Sequence, residues 1–163
     1  MVRKTEQLQI RVTASEKKTL KRLARGAGQD VSSYVLSRAL PRPRLRFQEL
    51  VETVADDEER RFALAELNDL LANLTRAELS DVLSDAPLHD LSPYWRNYVA
   101  AMVEQASQQK KIPAPKWLSD IEPLPEPHFA APLANLRLHL LRASPVPFRR
   151  RNIFVDSGVG DRV

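Results

Sequence analysis

At 163 residues with no cysteine, the chain has the length of one ordinary domain or two small ones, and it carries no disulfide framework. Its 43% hydrophobic content allows a buried core. No apolar run approaches the roughly twenty residues of a membrane span, and the opening Met-Val-Arg-Lys-Thr-Glu lacks the apolar centre of a secretion signal, so a cytoplasmic protein is expected. The net charge of +4 is unevenly held. Residues 1–46 carry twelve Lys/Arg against three Asp/Glu, and the remainder thirteen against eighteen. That asymmetry points the N-terminal part toward a polyanion.

The first predicted element is a strand. Residues 7–12 read Gln-Leu-Gln-Ile-Arg-Val, which puts Leu8, Ile10 and Val12 on one face and Gln7, Gln9 and Arg11 on the other. One strand buries almost nothing alone, and the sequence downstream is helical. The expected partner is therefore the same strand of a second copy, paired antiparallel about a two-fold axis. Such a ribbon fits the major groove of B-DNA, where Gln can bond adenine and Arg guanine bidentately.

Thr13 and Glu16 have the spacing of a capping box, and residues 14–25 place Leu20, Leu23 and Ala24 on one helical face. Lys17, Lys18, Lys21, Arg22 and Arg25 lie elsewhere on that helix, where solvation explains Lys17, Lys18 and Lys21. Gly26-Ala27-Gly28 frees the backbone to turn, Asp30 caps a second helix, and Pro41 and Pro43 stop it.

Strand, capped helix, Gly turn and capped helix over residues 5–40 resemble the ribbon-helix-helix family of the Arc, MetJ and CopG-type repressors. The resemblance rests on Gln7–Val12, on Thr13-Ala14-Ser15-Glu16 and on Gly28-Gln29-Asp30-Val31-Ser32. It implies a homodimer on a palindromic operator in double-stranded DNA, with base contacts from Gln7, Gln9 and Arg11. It also implies a phosphate held by the backbone N–H groups of Val31, Ser32 and Ser33, as a helix N-terminus can do. Asp30 departs from the family, where Ser or Thr is commoner. Arg3 and Lys4 before the strand, and Arg42, Arg44 and Arg46 after the second helix, are further phosphate contacts by charge.

Beyond residue 43 the texture becomes amphipathic helix. Residues 44–55 carry Leu45, Leu50, Val51 and Val54 at near-helical spacing. Asp56-Asp57-Glu58-Glu59 reads as the acidic first turn of a helix through Leu74, with Phe62, Leu67, Leu70, Leu71 and Leu74 as its stripe. Thr75-Arg76-Ala77-Glu78 is a second capping box, and Ser92-Pro93 opens a helix running to about Lys110.

From Ile112 onward, prolines break the chain into short pieces. One or two helical turns are expected over 116–121, a helix over 133–143, and a strand over 153–155. Two fates are open for this segment. It wraps its own helical region, or it orders against a partner through Trp117, Leu133, Leu136, Leu140, Phe148, Arg149, Arg150, Arg151, Ile153 and Phe154.

The expected architecture is therefore mainly α. Residues 1–43 form a ribbon-helix-helix DNA-binding and dimerisation domain, 44–111 an amphipathic helical region, and 112–163 a Pro-punctuated partner-binding segment. His89, His128 and His139 have neither zinc nor triad spacing, and no nucleotide-binding motif is present, so no catalytic residue, metal or cofactor is expected. The two-part layout resembles a type II antitoxin, which implies repression of its own operator and neutralisation of a cognate toxin, nucleotidyltransferase-like or nuclease. The alternatives are a plasmid-maintenance or copy-control repressor whose C-terminal helices oligomerise it, and a ligand-sensing repressor.

Overall fold

In the computed structural model, residues 9–39, 42–85, 88–130 and 134–156 are described. The chain divides into two units, Met1–Arg46 and Phe47–Val163.

The first unit begins as an irregular lead, residues 9–13, into helix α1 (Ala14–Gly26). Thr13 caps α1: its hydroxyl oxygen accepts the Glu16 N–H at 3.3 Å, while the Glu16 carboxylate accepts the Thr13 N–H at 2.8 Å. Those bonds from Thr13 hold the Glu16 carboxyl below the usual carboxylate range. The helix ends on Gly28 at φ +67°, where the Gln29 N–H reaches the Ala24 carbonyl at 3.0 Å and the Gly28 N–H reaches Arg25 at 3.2 Å. This is a Schellman closure, and the left-handed backbone at Gly28 is one that a side chain would strain. Asp30 then caps α2 (Val31–Ala39), as the sequence predicts.

Helix α3 (Arg42–Thr53) crosses from the first unit into the second. Pro43 is not a stop signal but lies in the first turn of α3, where its missing N–H would have had no helical partner. In the second unit, α3 buries Phe47, Leu50 and Val51. Residues 54–59 form the turn to α4 (Arg60–Asn73), so the acidic run precedes that helix rather than forming its first turn. Asp56 is used in that turn, accepting the Glu58 N–H at 2.9 Å. Arg60 holds the turn from the helix side. Its Nε donates to the Val54 carbonyl at 2.7 Å, and its guanidinium lies 4.5 Å from the Trp95 ring centroid. The inward face of α4 is Ala63, Leu67 and Leu71, and Phe62 is 73% exposed, contrary to the predicted stripe. Positions 63, 67 and 71 repeat every fourth residue, and Phe62 falls off that row.

Helix α5 (Arg76–Val82) opens on the second capping box, with the Thr75 N–H donating to the Glu78 carboxylate at 2.9 Å. Helix α6 (Pro93–Lys110) is the centre of this unit, burying Val99 through Val103, Ala106 and the polar Asn97 and Ser107. It closes with Lys111 in the left-handed region.

The Pro-rich segment completes the core. A 3₁₀ turn (Lys116–Asp120) brings Trp117 Nε1 to the Leu83 carbonyl at 2.8 Å and buries Leu118. Strand β1 (His128–Phe129) pairs in parallel with β2 (Ile153–Phe154), in the register His128 to Ile153 and Phe129 to Phe154. Between them lie α7 (Ala134–Ala143) and the single-turn α8 (Val146–Arg149). Phe148, Ile153 and Val155 join Phe47, Val51, Leu67 and Val99 in one apolar cluster.

The expectation of a partner-binding segment is corrected at these positions. Leu140, Phe148, Ile153 and Phe154 are buried in their own chain, and Trp117 is half-buried. Arg151 is only 6% exposed, donating to Asn97 Oδ1 at 3.2 Å and to the Leu118 carbonyl at 3.3 Å, with Glu104 at 3.8 Å. Burial lowers the pKa of that guanidinium, and Glu104 offsets part of the effect. Arg150 is exposed and pairs with Glu104 at 3.0 Å. Arg149 and Leu136 do face solvent, and Leu133 lies outside the described residues.

Candidate nucleic-acid interface

The residues expected to read bases begin at the edge of the described chain. Gln9 and Arg11 are exposed, four and two residues ahead of α1, and Gln7 lies outside the described residues, as do Arg3 and Lys4. Ile10 and Val12, the apolar partners of that alternation, are 60% and 43% exposed. Among the described residues no strand pairs with this segment, and a single chain supplies none.

The N-terminus of α2 has a specific arrangement. The Asp30 carboxylate accepts the Ser33 N–H at 3.0 Å and the Ser33 hydroxyl at 2.6 Å. The Ser33 amide is therefore already used in the cap, and of the three expected phosphate donors Val31 and Ser32 keep theirs outside it. The Asp30 charge sits at the same end and repels an anion.

Sequence reading undervalued the outer face of α1. Lys18, Lys21, Arg22 and Arg25 recur at i, i+3, i+4 and i+7, and all four are exposed. They fall opposite Leu20 and Ala24 on the helix. That spacing was visible in the sequence, but each residue by itself reads as an ordinary solvated lysine or arginine.

Nothing in the second unit assembles a comparable site. His89 and Asp90 form an exposed pair 3.4 Å apart, and His139 lies 3.8 Å from Asp156, also exposed. Among the described residues there is no group of three metal-ligating side chains, and no helix is long and apolar enough to cross a membrane.

Residues 2–77 match the NikA-like family, described as mobilization protein NikA. The match spans a little under half of the chain. It covers the whole basic unit, α3 and α4, and reaches the Thr75 cap. No curated protein matches the chain, and no solved structure does.

Proposed function

We propose that this protein is a DNA-binding accessory protein with a plasmid-related role of the mobilization type, acting as a dimer through its N-terminal unit. The observation that carries this reading is the coincidence of the family match with the basic unit. The segment with twelve cationic residues against three anionic ones is the segment that resembles a mobilization protein.

In this reading, residues 7–12 of two copies pair as an antiparallel ribbon. Leu8, Ile10 and Val12 turn inward against Leu20 and Leu23, and Gln7, Gln9 and Arg11 turn toward base edges in the major groove. The open state of the single chain supports this, because Ile10, Val12 and Leu23 are all more than 40% exposed in it. Val31 and Ser32 amides, with Arg3 and Lys4, then hold phosphates and set the register. Repression of the adjacent genes is a compatible outcome of such binding. Neutralisation of a toxin through residues 112–163 has lost its basis, since most of the side chains assigned to it form the chain's own core.

Selection from a randomised duplex pool tests the reading. Wild-type protein is expected to enrich a palindromic sequence. Arg11→Ala is expected to weaken binding to that sequence by roughly 1–3 kcal/mol and to relax preference at one base position. Unchanged affinity and preference in Arg11→Ala would remove the ribbon assignment.

A further inference from the structure

The exposed cationic stripe on α1 is not needed by the ribbon. Lys18, Lys21, Arg22 and Arg25 line a shallow groove with Ser15 and Thr19, all along one side of the helix. The helix has one acidic residue, Glu16, and its carboxylate is committed to the Thr13 cap. Among the described residues no carboxylate pairs with the four cations. Four like charges at neighbouring helical positions repel one another, by a few tenths of a kcal/mol per pair in isolated helices. A solvated face does not require that concentration of one sign, whereas a polyanion relieves it.

The side opposite carries Leu20 and Ala24, so covering the apolar face with a second copy leaves the stripe outward. From Lys18 to Arg25 the helix rises roughly 10 Å, against one phosphate per about 3.4 Å of axis along each DNA strand. The stripe is thus long enough to follow two or three phosphates.

We infer that the Lys18–Lys21–Arg22–Arg25 face of α1 is a second DNA contact, binding the phosphate backbone without regard to sequence. The inference rests on the DNA-binding reading above and separates affinity from sequence recognition. Gln7, Gln9 and Arg11 choose the site, and the stripe supplies salt-sensitive attraction to any duplex.

The test is the salt dependence of binding to two duplexes, one of mixed sequence and one recovered from the selection. The full-length protein is compared with the variant Lys18→Gln, Lys21→Gln, Arg22→Gln and Arg25→Gln, since Gln keeps helix propensity close to that of Lys and Arg. The slope of log K against log salt is expected to flatten by about 2 or more, at about 0.9 per phosphate lost. Affinity is expected to fall by the same factor on both duplexes, leaving their ratio unchanged. A second variant, Arg22→Lys with Arg25→Lys, keeps the charge and is expected to retain the wild-type slope. It stands as the comparison should the neutral variant lose helical circular dichroism, in which case single Gln substitutions are read for about 0.9 each. Wild-type binding with an unchanged slope in the neutral variants overturns the stripe alone. A lost ratio with an unchanged slope assigns these residues to base reading and also overturns it. Wild-type protein that binds neither duplex overturns the DNA-binding reading, and this inference with it.

Discussion

The two units of this chain solve the problem of burial in different ways. The second fills its own interior: Phe47, Val51, Leu67, Leu79, Val99, Phe148 and Ile153 are all completely buried. In the first, Ala24 is the one apolar residue among those described that is buried, while Ile10, Val12 and Leu23 remain in contact with solvent. A unit of about forty residues cannot close a stable core unaided, and association is a common remedy. The comparison teaches that one unit carries its stability within the chain and the other draws it from a second copy.

The sharpest break of that contrast is at Phe148. Phe148→Ala empties the centre of the apolar cluster and is expected to destabilise the second unit by roughly 3–5 kcal/mol in urea denaturation. A free partner-binding tail would show almost no change. The same region has an alkaline signature. Tyr98 packs edge-on to Phe148, with ring centroids 5.2 Å apart, and burial, with a smaller contribution from Tyr94, pushes its hydroxyl up from 10.0 to about 12. The folded state therefore holds the proton more tightly than the unfolded one. That contribution is fully present below about pH 10 and is lost as the pH climbs toward 12, in all about 2–3 kcal/mol. Tyr98→Phe is expected to remove this slope from the stability–pH curve.

A smaller effect sharpens the comparison from the other side. Thr13 and Thr75 make the same capping box in different units. Removing either hydroxyl by Thr→Ala is expected to cost about 1 kcal/mol. For Thr75→Ala the loss should be independent of protein concentration. For Thr13→Ala it should appear as a dimer that dissociates at higher concentration in sedimentation equilibrium. Equal, concentration-independent losses would mean that the first unit does not depend on a second copy.

What was legible in the sequence was local. Thr13-x-x-Glu16, Thr75-x-x-Glu78, Ser92-Pro93 and Gly28 each act within a few residues, and each sits where its chemistry requires. The fate of residues 112–156 was not legible, because it is decided by contacts across long separations. Ile153 finds His128, Arg151 finds Asn97, and Trp117 finds Leu83. Nothing in Phe148-Arg149-Arg150-Arg151 announces that its third arginine is enclosed and its first two are not. At the candidate interface, the alternation of residues 7–12 predicts the ribbon, and Gln9 and Arg11 are exposed as that role requires. The Asp30 bond to Ser33 depends on side-chain geometry that the sequence alone does not state.

The position of Ile153 and Val155 in the core also sets an order of events during synthesis. The second unit cannot close until residue 155 has left the ribosome, more than a hundred residues after Arg46. At typical translation rates that interval is roughly five to twenty seconds. Throughout it the N-terminal unit is already outside, with its apolar face uncovered. Neighbouring ribosomes on one message would hold several such faces close together. Pairing between nascent chains would then precede completion of either protomer, and each dimer would be assembled from products of the same transcript.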